Sequence, residues 1–465
     1  MARPRQTHPI HSPAMRASDA ATVISVATHF RKLKFIATSF SELSIVGQRG
    51  YFQPHEEETI RHLQVSYWQA RCALIEVVTS LHRESLANSA QRESLFLIAF
   101  AGAIVLIDAA RFLRIQFQAH PVIREKLNEP EPNFGLPLGM YDTIQESLTR
   151  PLHIWHLYHA ISYWQQQEPL FRQQATQDPQ TRDLLTIVDE RIQTLTVSLQ
   201  EYASARMRLH SRQVWTSLRR DLVSQALYGL QKLAGDLAAQ ISVRPGHRPG
   251  LPPAIVEELR QLLLPGDVII SRRDYALTNY FLPGHWPHAA LYLGDAVELE
   301  RRGLATHTNF QSRWMNVVHC DSEEPKRVLE AMKDGVRIRS LRSPASTDSI
   351  VILRPQLSDK DVTEALARGM FHEGKQYDFG FDFTRSDRLV CTEVVYRAYE
   401  GVGGMAFRLT QRAGRMTLSA DDLLAMGLSH QHFTIAAVYD RETDQKLVTE
   451  TRAEQIVRTT IERSA

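Results

Sequence analysis

Four prolines and two glycines fall within the ten residues Arg244–Pro253. Neither a helix nor a central strand can run through such a stretch, because proline lacks the backbone donor and glycine gains too little from being fixed. The chain is therefore divided there. Upstream, apolar residues recur at helical spacing with few strand signals, whereas downstream short β-rich runs alternate with helices. Single cores stop growing at about 250–300 residues, so a chain of 465 is expected to form two or three domains. The expected plan is multidomain: a disordered basic tail over 1–20, an all-α helical domain over 21–243, the linker 244–253, an α+β domain over 254–440, and a charged terminal helix over 441–465.

In the helical half, Pro54-His-Glu-Glu-Glu58 has the proline and acidic first turn of a helix start, and the apolar pattern carries on toward Leu81. Leu95–Ile107 is the most apolar run of the chain. Glu93 and Asp108 bound it, which leaves the uncharged stretch short of the ~20 residues that cross a bilayer. A buried core helix is expected and no transmembrane span. Asn128–Gly139, with three prolines and two glycines, reads as an ordered loop or linker. His153, His156 and His159 stand three apart, as metal ligands on one helix side would. No carboxylate joins them at a suitable spacing, and Trp155, Tyr158 and Trp164 interleave with them, so an aromatic packing face is expected, with no metal and no cofactor. Val188, Ile192, Leu195, Leu199 and Tyr202 form a seam that suits packing within the domain or a homodimer. Arg206, Arg208, Arg212, Arg219 and Arg220 make a basic band, read as a solvated face or a contact for an acidic partner or anionic lipid.

A formal charge of +2, with 43% hydrophobic and 23% charged residues, is a globular composition and excludes a dedicated nucleic-acid binder. Three cysteines, Cys72, Cys320 and Cys391, are too few and scattered for a disulfide framework or zinc site. The first twenty residues carry Arg3, Arg5 and Arg16 without the apolar core of a secretory signal. A reducing, cytoplasmic setting is expected.

Cys391 opens a helix. Val394, Val395, Ala398 and Tyr399 follow it at one-face spacing, Glu393 lies in the first turn, and Gly401 supplies a stop. The free N–H groups and dipole of a helix N-terminus favour thiolate over thiol, so a cysteine there suits nucleophilic chemistry, although lone cysteines are more often small buried hydrophobes. Upstream, Trp286-Pro-His-Ala-Ala-Leu-Tyr-Leu-Gly294 reads as a buried strand entered through a proline, with His288 at its mouth. A histidine placed there can serve a thiol as base if a third polar group fixes its tautomer. Glu330, in Val328-Leu-Glu-Ala331, is the candidate third member, and Glu300 the alternative.

These motifs arrive in a characteristic order: Pro265-Gly-Asp267, the His288 strand, Val328-Leu-Glu-Ala331 with Gly335-Val336, Ile352-Leu-Arg-Pro355, Gly374-Lys-Gln-Tyr-Asp378 and Cys391-Thr-Glu-Val-Val395. The series resembles the circularly permuted, papain-like NlpC-type cysteine hydrolases of the YiiX-like branch. The resemblance covers roughly residues 254–440 and implies a permuted papain-like fold with Cys391 as nucleophile, His288 as base and Glu330 as orienting residue. It departs from the family in having about thirty residues between the His and Glu strands, Asp295–Lys326. Part of this insertion, Ala305–Glu324, is expected to form a lid. The other departure is Cys-Thr-Glu in place of the commoner Cys-Ser-Glu, which keeps a hydroxyl.

The implied activity is cleavage of a peptide or cell-wall-like amide through a thioester. A lipid-acyl thioesterase or acyltransferase and a non-catalytic interaction scaffold are the alternatives, since a shared fold does not choose the substrate. Tyr377, Trp286 and Tyr280 are expected to line the substrate pocket.

Overall fold

The computed structural model describes residues 13–39, 42–87, 92–131, 134–193, 229–230, 249–274, 285–319, 324–381, 383–412, 415–443 and 445–462. The chain separates into two compact units, Met1–Pro130 with Pro137–Ser242 and Glu131–Leu136 with Val243–Ala465.

In the first unit the described elements are helices: α1 (Pro13–Ser39), α2 (Glu42–Arg49), α3 (Pro54–Ala87), α4 (Arg92–Phe117), α5 (Pro121–Leu127), α6 (Met140–Thr149), α7 (Pro151–Gln174) and α8 (Pro179–Ile192). Helix α4 continues through Asp108 rather than ending there. The charge is accommodated by ion pairs to Lys34 at 2.7 Å and Arg191 at 3.1 Å. The stretch Glu93–Phe117 is by length and composition apolar enough to cross a membrane, and 78% of its most apolar window is buried. Much of that burial is aromatic, with Phe96 edge-on to Tyr163 at 4.5 Å and Phe100 stacked on Trp164 at 5.5 Å. The three histidines of α7 are taken up in packing: the His153 imidazole bonds to the Ser147 carbonyl at 2.7 Å, and His156 and His159 both pack edge-on against Trp155. The outer half of the seam, from Leu195 to Tyr202, and the arginine band of 206–220 lie outside the described residues.

The second unit comprises α9 (Pro253–Leu262), β1 (Val268–Arg272), β2 (His288–Gly294), α10 (Ala296–Arg301), α11 (Thr308–Gln311), α12 (Trp314–His319), β3 (Arg327–Met332), β4 (Gly335–Ser340), α13 (Arg342–Ala345) and β5 (Ser349–Pro355). It continues with α14 (Asp359–Met370), β6 (Gln376–Tyr377), β7 (Arg388–Leu389), α15 (Cys391–Tyr399), β8 (Thr410–Arg412), β9 (Arg415–Thr417), α16 (Ala420–Leu428), β10 (Phe433–Asp440) and α17 (Glu450–Glu462). Six strands form one antiparallel sheet in the order β10-β5-β1-β2-β3-β4. On one face Leu251, Ile255 and Leu259 join Ile269, Tyr292, Val328, Ile350 and Tyr439 in a buried core. Leu251, assigned from its composition to the linker, is thus part of this core, and its N–H donates to the Ala345 carbonyl at 3.1 Å. Helices α14 and α15 pack together, with α15 against β2 and β3, and the closeness is visible at Gly369, where a Cβ would lie 2.8 Å from Leu291 and 3.4 Å from Ala398.

The sequence motifs of this unit are bonded to one another. Asp267 is buried and accepts from the Leu264 N–H at 2.8 Å and from the Arg354 guanidinium at 2.8 and 3.0 Å, which ties Pro-Gly-Asp to Leu-Arg-Pro. Gly335, at φ +101°, meets the turn before β6, where the Val336 N–H donates to the Lys375 carbonyl and the Gly374 N–H to the Val336 carbonyl, both at 2.8 Å. The insertion Asp295–Lys326 folds into α10, α11 and α12 along α14. Asn309 donates to the Ala367 carbonyl at 2.8 Å, Arg302 pairs with Asp359 at 2.8 Å and Arg313 with Glu373 at 3.3 Å. These bonds run to α14 and to the turn that follows it.

Candidate active site

Cys391 opens α15 directly after β7, a two-residue strand that pairs in parallel with β6 through Tyr377↔Leu389. The helix is held at its start by Glu393, which accepts weakly from the Val390 N–H at 3.4 Å and pairs with Arg397 at 2.5 Å. The thiol is 2% exposed and points toward the mouth of β2, where it lies 3.8 Å from the Pro287 carbonyl oxygen. Thr392 is buried, and its hydroxyl has no hydrogen-bond partner among the described residues. The hydroxyl retained in Cys-Thr-Glu is thus not engaged, and the side chain serves as packing.

His288 is the first residue of β2, and its side chain is 23% exposed. The β2–β3 register, Leu291↔Leu329 and Tyr292↔Val328, when continued, sets Glu330 across from Ala290, two residues along from the histidine. The side chains meet there, with His288 Nε2 2.8 Å from Glu330 Oε2. A carboxylate only accepts, so Nε2 carries the proton toward Glu330 and Nδ1 is left for the thiol. Cys391 is the other ionisable neighbour of the imidazole, close enough for its charge to act on the ring.

Glu330 is 1% exposed, and its other oxygen accepts from the Ser343 hydroxyl and lies 3.2 Å from Arg339 Nε. Burial opposes its charge, but the bond to His288, the charges of His288 and Arg339 and the Ser343 hydroxyl outweigh that and hold the carboxyl down at about 2. For His288 burial likewise opposes the charged form. The neighbouring Cys391 and the hydrogen-bonded Glu330, each negative when ionised, reverse this and raise the imidazolium to about 9. Imidazole and carboxylate thus form one bonded pair with the thiol beside it.

Glu300, the alternative third residue, is exposed near the end of α10 and takes no part in it. Tyr377 is buried edge-on to Phe379 at 5.0 Å, and burial, with the charges of Cys391 and Asp378, pushes its hydroxyl well above the ordinary tyrosine range. Trp286 is fully buried, and its indole N–H donates to the Thr460 hydroxyl of α17 at 3.1 Å. It is a core anchor, which corrects its assignment to a pocket wall. Tyr280 lies outside the described residues. Sequence reasoning missed Ser343 and Arg339. Arg339 had a signal, since it stands in β4 two residues from Arg337, the partner of Glu330 in the β3–β4 register. Ser343 had none.

Residues 263–449 match the permuted papain-like amidase enzyme family, YaeF/YiiX, C92. The match lies within the second unit and likens it to the papain-like thiol hydrolases of the amidase and peptidase type. No curated protein and no solved structure matches the chain. In the matched region the histidine strand precedes the cysteine helix, and the fold brings the two together across about a hundred residues of sequence. Among the described residues no group of three or more His, Cys, Asp or Glu is arranged to hold a metal ion.

Proposed function

We propose that the protein is a cysteine hydrolase that cleaves an amide bond through Cys391, His288 and Glu330 with a thioester intermediate. The observation that carries this is a single imidazole at the mouth of β2 that is hydrogen-bonded to a buried carboxylate and borders a helix-N-terminal thiol, itself 3.8 Å from the neighbouring Pro287 carbonyl. In this mechanism His288 takes the Cys391 proton, and the thiolate attacks the carbonyl carbon. The C–N bond then breaks as His288 returns a proton to the leaving amine. His288 next deprotonates a water molecule, which attacks the thioester, releases the acid and restores the thiol. Glu330 holds the ring with Nδ1 toward sulfur and stabilises the imidazolium. Backbone N–H groups at the start of α15 are the donors for the oxyanion, each worth ~2.7–4 kcal/mol. Tyr377, which keeps its proton, lines the pocket.

A panel of peptide and amino-sugar-peptide amides, with matched oxyesters and acyl lipids, tests the proposal by amine release and by the mass of an acyl group on Cys391. Amide cleavage with transient Cys391 acylation, both lost in Cys391→Ala, is expected. Turnover of the acyl lipids alone would overturn the amide assignment.

A further inference from the structure

The segment that delivers His288 to the thiol is held by a carboxylate from a distant part of the chain. Both oxygens of Asp421, in the first turn of α16, accept from consecutive backbone donors: Oδ2 from the His285 N–H at 2.9 Å and Oδ1 from the Trp286 N–H at 3.1 Å. The Arg272 guanidinium donates to the His285 carbonyl. The Trp286 indole is anchored on Thr460, and the next carbonyl, that of Pro287, faces the Cys391 sulfur at 3.8 Å. Residues 285–287 are thus fixed at both donors, two acceptors and one ring, and none of these bonds belongs to a sheet ladder. Ladder pairing begins only at Ser271↔His288, at the end of β1.

We infer that Asp421 is a positioning residue for the catalytic histidine, setting the entry of β2 so that the imidazole reaches the thiol. The inference rests on the role proposed for His288. A carboxylate suits this position because two adjacent N–H groups need two acceptors on one rigid fork, whereas an amide offers one. Burial of such a group is costly, and burial indeed pushes the Asp421 carboxyl up against the pull of the two backbone donors. Asp422, the next residue, is engaged elsewhere, since it completes the α16 cap with Ser419 and pairs with Arg412 at 2.8 Å. Substitution there disturbs the same helix without touching residues 285–287.

The test is the rate at which iodoacetamide alkylates Cys391 in the full-length protein, read by peptide mass spectrometry between about pH 5 and pH 10, with urea midpoints measured in parallel. His288→Ala sets the rate without the base. Asp421→Ala is expected to slow alkylation below about pH 8 by about tenfold, short of the ~10²-fold that a 1 Å misplacement can cost. Asp421→Asn, which keeps one acceptor, should fall between, and it carries the test if the alanine variant does not fold. Asp422→Ala is expected to lower the urea midpoint and leave the pH profile in place. A wild-type profile in folded Asp421→Ala or Asp421→Asn, with His288→Ala slow, would overturn the inference alone. Equal rates in wild type and His288→Ala would remove the role of the histidine and the inference with it.

Discussion

At the scale of single residues, the thiol, imidazole and carboxylate make predictions that separate them. Replacing Cys391 with Ala should abolish amide turnover, by about 10⁴-fold or more, because the nucleophile has no substitute. Glu330→Gln should cost about 10²–10⁴-fold in kcat, since an amide can donate to Nε2 and so stabilise the tautomer with its proton facing the thiol. Glu300→Gln should leave kcat unchanged, and a loss there comparable to that of Glu330→Gln would refute the assignment. The His288–Glu330 pair also has a signed dependence on pH. The histidine rises from 6.5 in the open chain to about 9 in the fold, so its contribution is complete below about 6.5 and is lost as pH climbs through about 9. Glu330 falls from 4.5 to about 2, so its contribution is complete above about 4.5 and is lost on acidification through about 2. Both are whole between about 4.5 and 6.5. The stability difference between wild type and His288→Ala, followed by urea denaturation, should therefore shrink between about pH 7 and pH 9. A difference constant across that range would mean that the imidazole is not held charged.

At the scale of elements, the site was legible where local chemistry carries it and illegible where the tertiary structure does. A cysteine before an amphipathic helix and a histidine after Trp-Pro are local signals, and the structure places both at element starts. The choice between Glu330 and Glu300 was not local, because a thirty-residue insertion obscured which carboxylate follows the histidine strand. Helices α10–α12 lie along α14 and return the chain beside β2, so the hairpin register survives the insertion. Trp286 misled for the opposite reason: an aromatic residue before the histidine looks like a pocket wall until its N–H is seen to be used by Thr460. Asp421 lies 135 residues after the backbone it holds, and no spacing rule reaches it.

Gly266 shows that even the short motifs encode tertiary contacts. Its φ is +97°, an added Cβ would lie 2.6 Å from Val362 Cγ1 and 3.1 Å from the Tyr399 hydroxyl, and its carbonyl accepts from that hydroxyl. Gly266→Ala should therefore destabilise the second unit by about 1–3 kcal/mol, seen as a lower urea midpoint at unchanged slope. No change would show that β1 can shift to admit a side chain.

At the scale of the whole molecule, the two units have separate cores made by different means. The first relies on long helices whose apolar faces and aromatic stacks close around α4, with Asp108 neutralised from α1 and α8. The second buries both faces of its central strands, with α9 and Leu251 on one side and α14 and α15 on the other. Its sheet, its site and its motif-to-motif bonds are all formed by residues after 250. A fragment of residues 243–465 should accordingly unfold in one cooperative transition and keep the pH-dependent alkylation of Cys391 seen in the full chain. The size is favourable, since a domain of about 200 residues buries well over half of the surface its unfolded chain exposes. The measurement is a urea transition followed by fluorescence and by Cys391 labelling on the same samples. Coincident transitions with a retained labelling profile would establish that the hydrolase chemistry resides wholly in the second unit. A fragment that folds cooperatively but labels as His288→Ala does would show that the first unit completes the site, and substrate screening would then require the full chain.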